Sequence, residues 1–277
     1  VQLVANEGYF RGRPYLDALV MRYIPDASLA AAALESGEVH FTALQIGFFD
    51  VPRFLNVPRF KVEFVRVPNP GWLGLNVRNP PLKDARVRQA INYAIDRMDI
   101  NKKAWFGQVS PMYGFLDEVC HAWAYNKKSE LPATDLKKAE ELLDQAGYAR
   151  GPDGTRFKMR CAPYQLIGYP ETGEVIKQQL AKVGIEVVID MYDTATWYAK
   201  MGKGEFDTWT QTQDISGDPS SLARLVVSNG ALNWQGHKNP RIDELFSKAE
   251  SVKSKDERKL YYYEIQEILS KDPPVLP

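Results

Sequence analysis

Residues 71–97, "GWLGLNVRNPPLKDARVRQAINYAIDR", run an apolar stretch, a double proline and a charged amphipathic segment together without a gap. "WLGLNV" (72–77) reads as a strand, and Pro80 and Pro81 end it because neither can donate a hydrogen bond to a ladder. Asp84 is a good N-cap for the segment after the prolines. Val87, Ile91, Ala94, Ile95 and Met98 fall on one stripe of a helix, with Arg86, Arg88, Gln89, Asn92 and Arg97 around the other sides. Periodicity alone makes this a capped surface helix after a broken strand, which any α/β protein could contain.

Upstream, "DASLAAAALESGE" (26–38) is a short helix capped by Asp26 or Ser28 and stopped at Gly37. "VHFTALQIG" (39–47) and "FKVEFVRVP" (60–68) are strand candidates, and the apolar "YLDALVMRYI" (15–24) precedes them. Downstream, helices and strands alternate. "TDLKKAEELLDQAGY" (134–148), capped by Thr134 or Asp135, and "ETGEVIKQQLAKVGI" (171–185) are helices that end at a glycine. "RFKMRCAPY" (156–164), "IEVVIDMY" (185–192) and "FDTWTQTQ" (206–213) are strands, with a short helix capped by Thr194 before the last of them. "DPSSLARLVVSN" (218–229), "PRIDELFSKAESV" (240–252) and "SKDERKLYYYEIQEILSKD" (254–272) are helical. The apolar side of the last is expected at Leu260, Tyr263, Ile265, Ile268 and Leu269. This order predicts an α/β domain whose sheet is covered by helices.

The 277 residues suffice for one large domain or two ordinary ones, and a hydrophobic share of 44% with 25% charged residues is that of a globular protein. Thirty-five basic side chains balance 35 acidic ones, so net charge recruits neither nucleic acid nor an anionic membrane. No apolar run approaches the roughly 20 residues that span a bilayer. The opening "VQLVANEGYF" lacks a signal peptide's basic and apolar regions and an initiator methionine, as a processed or excised chain would. Cys120 and Cys161 allow one bridge or two unrelated buried thiols. His40, His121 and His237 have no metal-ligand spacing, so neither a metal site nor a cofactor is expected.

Catalytic patterns are missing as well. No glycine-rich phosphate loop follows a strand, and no G-x-S-x-G, H-E-x-x-H or C-x-x-C occurs. Asp214 and Asp218, in "QTQDISGDP", leave the C-terminal end of a strand, where open α/β sheets bind their ligands. They are the only acid–base pair on which a hydrolase could be built, and N-capping by Asp218 before Pro219 is the simpler account of one of them. Six tryptophans, Trp72, Trp105, Trp123, Trp197, Trp209 and Trp234, offer either core packing or flat apolar surface for ligand recognition.

Residues 71–97 resemble the family-5 extracellular solute-binding proteins, the receptors of dipeptide, oligopeptide and nickel ABC importers. Asn76, Pro81, Leu82, Asp84, Val87, Arg88, Ala90, Ile91, Ala94, Ile95, Asp96 and Arg97 match that family's strand–turn–helix pattern. "NEGYFRGRPYLD", "LESGE", "DLKKAEELLDQAGY", "IKQQLAKVGIEVVI", "GEFDTW", "NPRIDELFSKA" and "ERKLYYYEIQEILSKDPPVLP" continue the resemblance in order over the whole chain. It implies a two-lobed, periplasmic-binding-protein-like α/β fold of type II, here one near-complete lobe plus part of the other. Residues 1–70 would be part of the first lobe, and residues 71–277 the second, lacking the family's closing strands.

The function implied is capture without catalysis. A small solute, first of all a peptide, would be held between lobes that close like jaws, and a membrane ABC permease would receive it. The receptor would be a periplasmic or lipid-anchored extracellular monomer. Oligosaccharides, opines and metal chelates are alternative ligands within the family; a hydrolase or a sensing module on the same fold are alternatives from other classes. In peptide-binding relatives an aspartate in a G-W-x-x-D-x-x-D-P region holds the ligand's amino group. Asp214 is the match here, although it precedes Pro219 by five residues rather than four and follows Trp209 by five rather than three. The resemblance makes Asp214, Trp209, Gln213, Trp72 and Asn76 the ligand-binding candidates. Arg88 and Arg97 are expected to brace the lobe through carboxylates or helix-end carbonyls.

Overall fold

Apolar residues spaced for strands and helices gather, in a computed structural model of the chain, into two separate units, Val1–Glu63 and Phe64–Pro277. The structure describes residues 1–42, 46–65, 67, 69–215 and 217–277.

In the smaller unit β1 (Gln2–Val4) pairs antiparallel with β2 (Ala18–Val20), Leu3 opposite Leu19, and every residue of both strands is exposed. Helix α1 (Ala27–Ser36) starts at Asp26, whose carboxylate accepts the Leu29 N–H, and stops at Gly37 with φ 80°. It turns Ala30, Ala31 and Ala33 inward. Phe54 is buried edge-on against Phe60, with ring centroids 5.0 Å apart. The strands expected at 39–47 and 60–68 do not form among the described residues; positions 43–45, 66 and 68 lie outside them. A strand needs a ladder partner, and Phe41, Phe64, Val65 and Val67 stay exposed without one.

The larger unit is built on a five-stranded sheet in the order β5–β4–β6–β3–β7. The strands are β3 (Gly71–Leu75), β4 (Phe157–Pro163), β5 (Ile185–Ile189), β6 (Thr208–Thr212) and β7 (Val275–Leu276). β4 runs parallel to β5 and β6, whereas β3 runs antiparallel to β6 and β7. Around the sheet lie α2 (Ala85–Ala94), α3 (Arg97–Ala104), α4 (Leu136–Gln145), α5 (Tyr169–Ala181), α6 (Thr194–Lys203), α7 (Ala223–Val226), α8 (Pro240–Ser251) and α9 (Lys255–Lys271). α2 packs on α4, α3 on α5 and α8 on α9. The core runs through both sheet faces, with Trp72, Trp197, Trp209 and Tyr262 its largest fully buried side chains.

Several local expectations need correction. The amphipathic stripe of residues 85–98 is two helices, not one. Ile95 is extended, and Asp96 begins α3 by accepting the Met98 and Asp99 N–H groups at 2.9 and 3.0 Å. The Gln179 side chain holds both Asp96 main-chain groups, so the break is braced from α5, and Met98 leaves the stripe for solvent. Asp193, not Thr194, caps α6, because its carboxylate reaches the Thr196 N–H at 3.0 Å. α9 buries Tyr262, Ile265, Gln266 and Leu269 and leaves Leu260 outside. Gln266 sets that rotation: its amide donates to the Ala124 carbonyl at 2.8 Å and accepts the Asn126 N–H at 3.2 Å. Cys120 is at the surface and Cys161 is buried in β4, and the two are not bonded to each other. Burial pushes the Cys161 thiol up to about 12.

The motif arginines are internal clamps. Arg88 donates from Nε to the Pro273 carbonyl at 3.0 Å and from its terminal nitrogens to the Leu82 and Lys83 carbonyls and the Asp272 carboxylate. Arg97 donates to the Pro277 carbonyl at 2.8 Å and to Asn92 Oδ1 at 2.8 Å. Together they hold residues 272–277 beside β3, where the Leu75 N–H donates to the Pro274 carbonyl. Burial lowers both guanidinium groups to about 10, which leaves them charged at neutral pH.

Candidate functional site

The sequence "TWTQT" of β6 alternates, and its two faces do different work. Thr208, Thr210 and Thr212 donate their hydroxyls to the Arg160, Tyr169 and Asn69 carbonyls, each at 3.2 Å, which ties the sheet to its neighbours on one side. Trp209 and Gln211 point to the other side. Trp209 lies over Gly74 of β3, where a Cβ would come within 2.0 Å of the indole. Trp197 and Trp234 pack edge-on against Trp209 at 6.5 and 5.6 Å, and Tyr164 and Tyr198 extend the group from Trp197.

Toward the C-terminal end of β6 this aromatic layer gives way to a polar rim. Gln211 is buried and donates its amide to the Tyr198 hydroxyl at 3.1 Å, while its carbonyl oxygen accepts from the Gln213 amide. Tyr198 is 45% exposed, and a phenol oxygen that accepts from Gln211 still has its own proton to donate outward. Trp72, opposite Gln211 in the ladder, donates its indole N–H to the Gln213 carbonyl at 3.4 Å. The next residue, Asp214, is exposed, and Ile215 is fully buried.

Asp218 ends the loop in a structural role. Its carboxylate accepts the Ser220 N–H at 2.9 Å, capping the 3-10 turn Pro219–Leu222, and pairs with Arg258 of α9 at 2.7 Å. Burial alone would raise this carboxyl, but Arg258 and Ser220 outweigh it and hold it below the usual carboxylate range. A carboxylate kept ionised by a cation is poorly suited to act as a general acid.

The structure thus places Trp72, Gln213 and Asp214 at the rim end of β3 and β6, Trp209 beneath it opposite Gly74, and Asn76 two residues beyond Gly74. Five ladder positions at about 3.3 Å each put Asn76 some 16 Å from the rim, at the far end of β3. Asn76 is fully buried, and its amide donates to the Gly204 and Phe206 carbonyls at 3.1 and 2.9 Å. Its oxygen accepts from Arg78 Nε at 2.9 Å, and Arg78 in turn donates to the Trp234 carbonyl at 2.6 Å. Asn76, expected beside the ligand with Trp72, thus supports the segment that carries Trp234. Sequence reasoning missed Gln211 and Tyr198. The period-two pair Gln211 and Gln213 was a usable signal for the first; nothing local announced the second.

His121 and His237 are both buried, and burial lowers both imidazoles below their ordinary value. Among the described residues no group of three or more His, Cys, Asp and Glu could hold a metal ion, and no helix is long and apolar enough to cross a membrane.

The family described as bacterial extracellular solute-binding proteins, family 5, middle region, matches residues 1–234. The oligopeptide-binding protein AppA of Bacillus subtilis is 27% identical over 99% of this chain and 52% of its own. Heme-binding protein A of Haemophilus influenzae is 27% identical over 100% of this chain and 51% of its own. Among solved structures, the ABC transporter-associated periplasmic binding protein DppA of Helicobacter pylori, in complex with the peptide STSA, superposes with a TM-score of 0.88. It is 30% identical, over 100% of this chain and 54% of that one. The chain thus spans about half the length of the curated relatives it matches.

Proposed function

The chain belongs to the bacterial extracellular solute-binding proteins of family 5, and from that premise we propose that it is part of an ABC importer's receptor, taking up a peptide at the β6 rim. On this reading Val1–Glu63 belongs to one lobe of the receptor and Phe64–Pro277 forms most of the other. The receptor is a monomer, works outside the cytoplasmic membrane, passes its solute to a permease and catalyses nothing.

The observation that carries the peptide reading is the exposed Asp214 carboxylate next to the relay from Gln213 through Gln211 to Tyr198. A carboxylate suits a peptide's ammonium group, and amide and phenol groups suit its N–H and C=O groups. AppA is named an oligopeptide-binding protein, and the DppA structure holds the peptide STSA. The same relay is neutral and would also suit a hydroxyl-rich or opine-like solute, which is the second reading.

Native mass spectrometry of the full-length receptor, released gently from its own cell envelope, tests the two together. A co-purified mass that fragments as a peptide supports the first reading, and one that fragments as a sugar or opine replaces it with the second. Asp214→Asn is expected to weaken peptide binding by about 1.5–3 kcal/mol, the worth of a hydrogen bond to a charged group. Unchanged affinity in calorimetry would remove Asp214 from the site.

A further inference from the structure

Tyr198 reaches the β6 rim from α6, and three neighbouring rings fix it there. Trp197 meets it edge-on at 5.1 Å, Tyr164 at 5.7 Å and Trp234 at 6.0 Å, with interplanar angles of 86°, 62° and 71°. Edge-on packing is an arrangement that aromatic rings prefer, and three such neighbours hold the Tyr198 ring in one orientation. Trp197 is itself fully buried and donates its indole N–H to the Ala162 carbonyl of β4 at 2.9 Å, which pins α6 on the sheet.

The hydroxyl end of Tyr198 is joined to the interior by amides. Tyr198 is 45% exposed, whereas Gln211, its partner at 3.1 Å, is only 3% exposed. A buried glutamine is costly unless its polar atoms are paired. Here Gln211 Nε2 donates to Tyr198 and Oε1 accepts from the Gln213 amide. The relay thus starts inside the sheet and ends on a side chain that solvent reaches.

Its direction is reversible. A primary amide carries donor and acceptor on two branches of one carbon, so a half-turn about Cγ–Cδ exchanges them. With both glutamines turned, Tyr198 donates to Gln211, Gln211 donates to Gln213, and the phenol oxygen is left to accept from outside. In one order the phenol offers a proton, in the other a lone pair. A peptide bond presents a neutral C=O and a neutral N–H, and the relay can meet either; an ion would find no countercharge in it.

We propose that Tyr198 is a specificity-determining contact of the receptor: its phenol reads a peptide bond of the bound chain, and Gln211 is the positioning residue that holds the phenol to that task. The inference rests on the reading of the β6 rim as a peptide site. It adds the contact that tells a peptide from a free amino acid.

A double-variant cycle on the full-length receptor, with trialanine titrated by calorimetry, tests the proposal. Tyr198→Phe keeps the packed ring and removes the hydroxyl. It is expected to bind trialanine roughly tenfold more weakly, the worth of about one hydrogen bond. Gln211→Met keeps the buried bulk and removes the relay, and a loss of about threefold is expected because the hydroxyl remains without its brace. The double variant should lose no more than Tyr198→Phe alone, since Gln211 acts through the phenol, whereas two independent structural defects would multiply. Parent affinity in Tyr198→Phe, or losses that multiply in the double variant, would overturn the proposal and leave the peptide reading standing. Absence of trialanine binding to the parent receptor would overturn both. If Gln211→Met does not fold, Tyr198→Phe measured against the parent still decides whether the phenol is a contact.

Discussion

Gly74 illustrates how a single missing Cβ can shape a site it never touches. The Trp209 indole occupies the space above it, and a methyl group there would sit 2.0 Å from the ring. Gly74→Ala must therefore push Trp209 outward against Trp197 and Trp234, at a cost of about 3 kcal/mol or more. A chemical-denaturation midpoint equal to that of the parent would refute this account of the aromatic layer. Residue by residue, capping was the most legible feature. Asp26, Asp84 and Asp135 start helices as a short polar side chain before an apolar stripe should, and Gly37 and Gly147 stand at the helix ends in left-handed conformations. Accessibility was the least legible. Trp72, Asn76 and Trp209 are chemically good ligand contacts, and all three are at most 1% exposed.

Among the elements, the junction of α2 and α3 is where local pattern misleads. Ile95 and Met98 extend the apolar spacing of α2, so periodicity runs straight through a break that Asp96 and Gln179 create. Asp96→Ala removes the acceptor for two N–H groups and should cost about 1 kcal/mol, read as a lowered denaturation midpoint with the far-ultraviolet spectrum retained. A loss below about 0.3 kcal/mol would mean that Gln179 alone holds the junction. β6 shows the opposite case, because its alternation of threonines with Trp209 and Gln211 assigns faces from sequence alone. What the alternation does not reveal is Tyr198. It lies on α6 and meets Gln211 only because Trp197 packs that helix on the sheet through its bond to the Ala162 carbonyl.

Over the whole molecule, stability is divided unequally. The hydrophobic cluster runs from Trp72 to Leu276, within the larger unit, whereas the described residues of the smaller unit bury few apolar side chains beyond Ala30, Ala31, Ala33 and Phe54. A chain of residues 64–277 is thus expected to unfold cooperatively in denaturant, and residues 1–63 alone to show no transition. A sharp transition in the short piece would contradict this division. Acid should act through the buried histidines. His121 and His237 resist protonation when folded but take it up near pH 6.5 when unfolded. The stability they contribute is full above about pH 6.5 and declines as pH falls toward their depressed folded values. The decline is at most about 1.4 kcal/mol per histidine per pH unit, and the denaturation midpoint at pH 7.5 and 5.5 measures it. A midpoint that does not fall would show that the buried rings accept protons as readily as the unfolded chain does. The amino-acid sequence by itself determined the family, the order of helices and strands and most of their ends, because those depend on spacings within a few residues. Only the tertiary structure decided which of the chemically apt side chains stand at the rim and which are spent inside. Exposure depends on what another part of the chain packs against, and no local pattern carries that information.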